Sequence, residues 1–239
     1  MSSWDRTAAA AAGAELERAA PAELLRWAME QFQAPSLAMA CGFGAEGMAL
    51  LDFCSELGRY PRVFTLDTGR LPQQTYDLME RARRRYPDAA VQVYCPDASD
   101  LEDMVARRGP NLFYENVESR KLCCEIRKVR PLRRALHGCR AWITGLRRAH
   151  SEGRAQIGKV EWDETNSLVK INPLADWTDE QLWRRVREKD IPYNTLHDLG
   201  YPSVGCDPCT RPVQPGEDPR AGRWWWESDT QKECGLHRR

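Results

Sequence analysis

Two pairs of cysteines, Cys123-Cys124 and Cys206-Asp207-Pro208-Cys209, have spacings that suit a metal or iron–sulfur site. The second pair lies in a tight turn in which Pro208 restricts the backbone between the thiols. Side chains of neighbouring residues on a helix diverge by about 100°, so Cys123 and Cys124 fit poorly around one tetrahedral zinc ion. A larger cluster with separate iron corners accepts both, which favours [4Fe–4S]. Two free buried cysteines with a zinc half-site or a redox dithiol remain the alternative.

A ninth cysteine, Cys234, stands apart in a polar C-terminal stretch with Lys232, His237 and two arginines close in sequence. Nearby positive groups favour the thiolate form, and exposure would make its sulfur available for reaction. The alternative is an incidental surface thiol.

Basic residues concentrate around the first cysteine pair, between residues 111 and 136. Lys128 lies one helical turn beyond Cys124, where its charge would suit a bound anion. Arg133 and Arg134 are better explained as a solvated helix face.

A glycine-containing loop, Cys41 to Met48, follows a short apolar run at residues 36–40 and precedes a helical pattern. Strand, small-residue loop and helix together direct backbone N–H groups and a helix dipole to one place, as phosphate sites require. The loop lacks the Lys-Ser/Thr ending of a Walker loop, and a plain strand-to-helix turn is the alternative. A second polar group, Asp67 to Leu71, follows the next buried strand, where open α/β sheets bind ligands.

Buried strands alternate with helical stretches, which predicts an α/β fold with a mainly parallel sheet and helices on both faces. Crossover connections then bring the loops to one edge of the sheet. The predicted strands are 36–40, 62–66, 91–94 and 141–144. One helix is predicted over 15–32, where Pro21 interrupts the run or begins the helix, and a second over 72–86. A third is predicted to begin after Thr178, which caps it with Gln181 at the capping-box position. Three successive tryptophans, at 224–226, indicate the wall of a pocket or interface.

Composition excludes several classes of protein. The 239 residues suffice for one domain, and 35 basic residues balance 35 acidic ones, so no global field favours nucleic acid or a membrane. Nine cysteines without a signal segment or an apolar span indicate a reducing, cytoplasmic location, where cysteines bind metals or do chemistry.

Motifs along nearly the whole chain after about residue 35 resemble those of one family, in its order. They are Phe43-Gly44-Ala45-Glu46, residues 66–71, Cys123-Cys124 with Lys128, Gly145 to Arg148 with Ser151 and Arg154, and residues 177–194, 200–210, 222–227 and 233–237. The chain resembles the bacterial iron–sulfur adenylyl-sulfate (APS) reductases, a branch of the sulfonucleotide reductases. The ending Glu233-Cys234-Gly235-Leu236-His237 is the most specific match. Gly42 and Gly47 replace a Ser and an Asp of the family's loop, so phosphate contacts there should be mostly backbone N–H groups.

The resemblance implies an adenine-nucleotide α-hydrolase-like fold with a modified PP-loop and a flexible C-terminal tail. It implies one [4Fe–4S] cluster per chain on Cys123, Cys124, Cys206 and Cys209, with Cys234 as nucleophile. It also implies thioredoxin- or glutaredoxin-dependent reduction of APS to sulfite and AMP through an S-sulfocysteine, and leaves a homo-oligomer open. The expected divisions are residues 1–34, 35–223 and 224–239, for an N-terminal helical segment, the nucleotide and iron–sulfur domain, and the catalytic tail. The implied substrate contacts are Phe43, Gly44, Ala45, Glu46, Leu66, Asp67, Thr68, Gly69, Arg70, Lys128, Arg147, Arg148, Arg154, Arg220 and Arg223.

Two alternatives belong to other classes. The first is an ATP-using PP-loop sulfur transferase acting on tRNA, which would release pyrophosphate and gains little from a neutral chain. The second is a non-enzymatic iron–sulfur or zinc module, which would tolerate loss of Cys234.

Overall fold

A computed structural model describes residues 4–150, 152–227 and 235–236. Its contacts divide the chain into two compact units, each built from separate stretches of sequence. Unit 1 comprises Met1–Thr65, Gln74–Gln92 and Gly138–Thr195, and unit 2 comprises Leu66–Gln73, Val93–His137 and the chain from Leu196 onward. The three-part division expected from the sequence stays a prediction.

Six strands form one sheet in the order β3-β2-β1-β4-β6-β5. They are β1 Leu37–Ala40, β2 Arg62–Leu66, β3 Gln92–Tyr94, β4 Ala141–Ile143, β5 Val160–Asp163 and β6 Leu168–Ile171. Strand β1 pairs in parallel with β2 and β4, β4 pairs in parallel with β6, and β5 is antiparallel to β6. The predicted mainly parallel α/β fold and its four predicted strands are confirmed. The hairpin of β5 and β6 was not predicted.

Eight α-helices accompany the sheet in the described residues. They are α1 Arg6–Leu16, α2 Pro21–Gln31, α3 Ala45–Glu56, α4 Gln73–Arg85, α5 Ala98–Arg108, α6 Val117–Cys124, α7 Arg130–Leu136 and α8 Asp179–Glu188, with a π-helical segment, Glu125–Val129, joining α6 to α7. The prediction that Pro21 interrupts the run 15–32 or begins its helix is confirmed, because α1 ends at Leu16 and α2 begins at Pro21, a residue that suits the first helical position. The capping box is confirmed, since Gln181 N–H donates to Thr178 Oγ1 at 3.2 Å and Thr178 N–H donates to Gln181 Oε1 at 2.9 Å.

The core of unit 1 contains two of the cysteines outside the predicted ligand set, Cys41 and Cys54. Burial raises the pKa of each thiol to about 12, and the proximity of Cys41 adds to the effect at Cys54. Both therefore remain neutral at physiological pH and behave as small apolar residues.

The core of unit 2 contains all four predicted ligands. Cys123, Cys124, Cys206 and Cys209 pack in one apolar cluster with Met104, Leu112, Phe113, Ile126 and Trp224. In the part of the chain that the structure describes, no helix has the length and apolar character needed to cross a membrane.

Candidate functional site

The first cysteine pair ends helix α6. Asn116 caps this helix by accepting a hydrogen bond from Ser119 N–H at 2.8 Å. Cys123 and Cys124 are the last two residues of the helix and are 7% and 6% exposed. The chain then widens into the π-helical segment, a form often found at functional sites.

The second pair lies in a short 3₁₀ turn, Asp207–Cys209. Cys209 N–H donates to Cys206 O at 3.0 Å, and Thr210 Oγ1 donates to the same carbonyl at 2.8 Å. Asp207 N–H donates to Arg70 O at 2.8 Å, which ties the turn to the polar loop that follows β2.

One pocket in unit 2 brings the two pairs together. Its lining comprises Arg70, Phe113, Arg120, Cys123, Cys124, Arg127, Lys128, Cys206, Pro208 and Cys209. Four thiols and four cationic side chains therefore surround a space of about 320 Å³, part of it open to solvent. Cys41, Cys54, Cys95 and Cys139, the remaining cysteines of the described chain, do not line it.

The thiols of this pocket differ in acidity. Burial raises the pKa of the Cys206 thiol, but Lys128, a hydrogen bond with Thr68 and the charge of Arg223 outweigh it, so the net pKa is lowered. The Thr68 Oγ1–Cys206 Sγ distance is 3.2 Å. Burial and the neighbouring Cys206 raise the pKa of Cys209 to about 12. The pocket thus favours the thiolate form more at Cys206 than at Cys209, and four thiolates would require a cationic centre among them.

The arrangement of donors bears on which metal could be held. No group of three or more His, Cys, Asp or Glu side chains among the described residues is placed to hold one metal ion. Tetrahedral zinc with bonds of about 2.3 Å needs its sulfurs roughly 3.8 Å apart, whereas the thiolates of an iron–sulfur cluster bind separate irons. Four thiols that line one pocket are a donor set that an iron–sulfur cluster can use.

The polar loop after β2 forms part of this pocket. Gly69 has φ +66° and its N–H donates to Asp67 Oδ1 at 2.8 Å, a tight turn that favours glycine. Arg127 Nη1 donates to Thr68 O at 2.6 Å, and the Arg70 guanidinium lies over the Phe113 ring at 5.1 Å. Leu66 is half-buried at the start of the loop.

Arg220 and Arg223 follow Cys209 by 11 and 14 residues in sequence, and both are buried. A Cβ added to Gly205 would stand 2.1 Å from Arg223 Nη2, so the guanidinium packs directly on that glycine. The same guanidinium lies over the Trp224 ring at 4.9 Å.

Three tryptophans follow with different environments. Trp224 is buried, Trp225 is 42% exposed and Trp226 is intermediate. Tyr114 contacts both Trp225 and Trp226 with ring centroids 6.4 Å and 4.5 Å away. Trp224 packs in the apolar cluster of unit 2, and none of the three tryptophans lines the pocket described above, so the predicted wall stays a prediction.

Unit 1 contains the predicted phosphate loop. Phe43 is buried with φ +53°, Gly44 is the N-cap of α3, and Ala45 and Glu46 form its first turn. Arg147 donates to Glu46 Oε1 from Nε at 2.9 Å and from Nη2 at 2.8 Å. Burial raises the pKa of Glu46, but His150 and then Arg147 outweigh it, so the carboxyl is held below its usual range. Glu46 is thus an anchored carboxylate at the helix start.

The other predicted cations of unit 1 have protein partners. Arg147 also bonds Asp179 Oδ1 at 2.6 Å, and Arg148 donates from Nε to Ile157 O at 2.7 Å and pairs with Glu17. Arg154 is half-buried at the end of a 3₁₀ turn. Cys234 and Ser151 lie outside the described residues.

Two cationic residues of the pocket were not singled out as site residues from the sequence, Arg120 and Arg127. Arg120 precedes Cys124 by four residues and Arg127 follows Cys123 by four. That spacing places a side chain one turn away on the same helix face, and it was applied only to Lys128. Applied four residues before and four residues after each cysteine, the same spacing selects Arg120, Arg127 and Lys128.

The family model described as phosphoadenosine phosphosulfate reductase domain matches residues 36–212. This range includes the predicted phosphate loop of unit 1 and the four pocket cysteines of unit 2. The chain belongs to this family. The resemblance inferred from the motifs is thereby confirmed.

Several curated members of the reductase family are close to this chain in sequence. The adenosine 5'-phosphosulfate reductase of Allochromatium vinosum is 49% identical over 204 residues, covering 85% of this chain and 79% of that protein. That of Burkholderia cepacia is 48% identical over 198 residues, covering 83% and 79%.

Solved structures support the same fold. Phosphoadenylyl-sulfate (PAPS) reductase from Candida auris aligns with a TM-score of 0.75 and 30% identity, covering 88% of this chain and 99% of that one. FMN adenylyltransferase from Candida glabrata aligns with a TM-score of 0.58 over 88% of this chain and 71% of that one. At 12% identity the second match shows the fold alone.

Proposed function

We propose that this protein is a cytoplasmic adenylyl-sulfate reductase that converts APS to sulfite and AMP in sulfate assimilation. The observation that carries the proposal is the joint occurrence of a four-thiol pocket and near 50% identity to reductases named for this substrate. The four thiols are the feature that a metal-free nucleotide enzyme would not need.

The proposed cofactor is one [4Fe–4S] cluster on Cys123, Cys124, Cys206 and Cys209. An oxidised cluster with four thiolates carries a net charge of about −2, which the cations of the pocket would offset. Arg127 Nε is buried and finds no hydrogen-bond partner among the described residues, a donor that an anionic group would satisfy. When bound, the cluster would join the two cysteine segments and supply a local field without itself changing oxidation state.

We assign phosphate binding to the loop Phe43 to Glu46. Its backbone N–H groups begin helix α3, where the helix dipole favours an anion. Arg147 and Arg148 are engaged by carboxylates, so their proposed role is to hold this unit's loops in place. An adenosine contact is proposed for residues 66–70.

Lys128, Arg154, Arg220 and Arg223 are the proposed cations for the sulfate. The thiolate and its target are both anionic, so positive groups must offset their repulsion in the transition state. Lys128, Arg220 and Arg223 are buried, which strengthens their interaction with charge.

The chemistry proceeds in two displacements. The Cys234 thiolate attacks the sulfur of APS, an S–S bond forms, and the S–O bond to AMP breaks with the electron pair leaving on AMP. The product is an S-sulfocysteine. A thiolate of reduced thioredoxin, or glutaredoxin, then attacks Cys234 Sγ and releases sulfite, and its second thiol resolves the mixed disulfide. The dithiol is oxidised by two electrons and the sulfur of the substrate is reduced by two.

Stalling the reaction after the first displacement tests this function. Without reductant, the protein should release one AMP per chain from APS and gain one sulfonate group that peptide mass maps to Cys234. Adding reduced thioredoxin should release that group as sulfite. Cys234→Ser should retain iron and APS binding yet form no adduct, because a serine hydroxyl ionises far less readily than a thiol.

The matched control is Cys95→Ser, which changes an exposed cysteine in the same way. An adduct on Cys206 or Cys209, or sulfite production by Cys234→Ser, would refute the assigned nucleophile. Pyrophosphate release from ATP in place of AMP release from APS would refute the reductase function.

A further inference from the structure

A buried ion pair joins Arg120 of helix α6 to Glu227, the last residue of the described range 152–227. Arg120 Nε donates to Glu227 Oε1 and Nη2 donates to Oε2, each at 2.8 Å. The two side chains are 0% and 3% exposed. Two parallel bonds between a guanidinium and a carboxylate fix orientation as well as distance.

The same guanidinium has two further neighbours. It lies 4.6 Å from the centroid of the Trp224 ring, and it hydrogen-bonds Cys124. Arg120 therefore contacts three groups at once. They are the pocket cysteine Cys124, the buried ring of Trp224 and the carboxylate of Glu227. Arg120 is positioned to set the path of the chain from Trp224 to Glu227.

Backbone bonds hold this short segment at its other points. Trp224 N–H donates to Cys209 O at 3.2 Å, and Glu227 N–H donates to Trp224 O at 2.9 Å. Glu227 precedes Cys234 by seven residues, so the thiol can lie no farther than about 25 Å from this anchor even in a fully extended chain.

We propose that Arg120 is a positioning residue for the reaction, which orients the root of the segment that carries Cys234 through its bidentate bond to Glu227. The inference rests on the proposed function, because it assumes that Cys234 is the nucleophile. The two parallel bonds fix the direction of the chain at Glu227, so breaking them removes that orientation at the start of the segment.

Glu227→Gln is the principal test, since it keeps the shape of the side chain and removes its charge. AMP release in a single turnover should slow by more than twofold, while the Kd for APS and the iron content stay at wild-type values. Arg120→Lys keeps the charge but loses the planar fork and should slow the same step. Glu217→Gln is the matched control, because Glu217 makes a bidentate pair with Arg211 at 2.9 Å in the same unit and should leave the rate unchanged.

A second readout does not depend on activity. Arg223 is buried, so trypsin should cleave after it slowly in the wild type and severalfold faster in Glu227→Gln, as measured by the mass of the released C-terminal peptide. AMP release within twofold of wild type, or an unchanged rate of cleavage after Arg223, would overturn the proposal. Should the wild type release no AMP from APS, the proposed function fails, and cleavage after Arg223 still reports whether Arg120 anchors the segment. If Glu227→Gln does not retain iron, Arg120→Lys decides the matter by the same two measurements.

Discussion

Replacing Arg147 with methionine is the most informative perturbation of the predicted phosphate loop, Phe43 to Glu46. The guanidinium makes two bonds to Glu46, one to Asp179 and one to Trp177 O at 3.2 Å. Its side chain is 3% exposed and that of Glu46 is 14% exposed. Arg147→Met fills the same space with an apolar chain and leaves the Glu46 carboxylate buried, with His150 Nδ1 3.7 Å from its Oε1.

The magnitude follows from which partner is left behind. Removing one member of a buried ion pair costs about 3–5 kcal/mol, because the other charge remains desolvated. Glu46→Gln should cost only about 1–2 kcal/mol, since Arg147 keeps Asp179 and the carbonyl of Trp177. We therefore expect the arginine variant to be the more damaging of the two, although both remove the same ion pair.

Thermal unfolding by circular dichroism at one fixed scan rate measures the effect, with wild type and variants compared under identical conditions. For a chain of this size, 1 kcal/mol lowers Tm by roughly 2–4 °C, so Arg147→Met should lose about 6–20 °C. Arg83→Met is the control, because its pair with Glu80 is exposed and should contribute nothing measurable. Equal losses for Arg147→Met and Glu46→Gln, or a loss below about 1 kcal/mol for the former, would refute the reasoning.

The pH dependence of the same variant provides an internal check. The folded-state pKa of Glu46 is lowered, since His150 and Arg147 together outweigh the opposing effect of burial. Its stabilising contribution is therefore present above the ordinary carboxyl pKa and is lost as pH falls through the folded value. In Arg147→Met the raising effect of burial on the pKa of Glu46 meets less opposition, so the carboxyl is protonated more readily as pH falls. Protonation removes the cost of the buried carboxylate that has lost its arginine. The Tm deficit should shrink between about pH 7 and pH 4.

Three further outcomes are expected. Cys206→Ser should lose iron and the brown colour of the protein, whereas Cys95→Ser should keep both, as metal analysis would show; iron retained by the first variant would contradict the ligand set. Gly205→Ala should destabilise the protein because its Cβ would meet Arg223 Nη2 at 2.1 Å, while Gly153→Ala, whose Cβ meets nothing within 4 Å in the described chain, should not change Tm. APS should be turned over far faster than its 3′-phosphorylated form, and equal rates of sulfite release would remove that specificity.

Three of the four predicted strands are mostly buried runs, and the fourth, β3, was predicted as well although its residues are exposed or half-buried. β1, β2 and β4 are short buried runs that end in turns, and they were predicted within a residue or two. β5 and β6 include charged residues whose burial depends on tertiary partners. Trp142 Nε1 donates to Asp163 Oδ2 at 3.0 Å, and Lys170 lies 5.5 Å from the centroid of the Trp142 ring, so both charges are accommodated inside unit 1.

The candidate site, like the sheet, could be predicted from the sequence only in part. Cysteine spacing was sufficient to select four thiols, and the structure brings all four to one pocket. Spacing along one helix could also have selected Arg120 and Arg127. The partner of Arg120, however, lies more than 100 residues later at Glu227, and no local pattern relates the two. Long-range pairs of this kind need the tertiary fold before they become visible.

The order of the two cysteine pairs along the chain has a consequence for folding. Cys124 and Cys206 are separated by about eighty residues, and that stretch includes β4, β5, β6 and α8, all of which belong to unit 1. A cluster bound to both pairs would close this stretch into a loop. By the chain-entropy relation used for disulfides, closing such a loop removes about 4–5 kcal/mol of freedom from the unfolded chain. Loss of the proposed cluster from unit 2 should therefore also favour unfolding of unit 1, through chain connectivity alone.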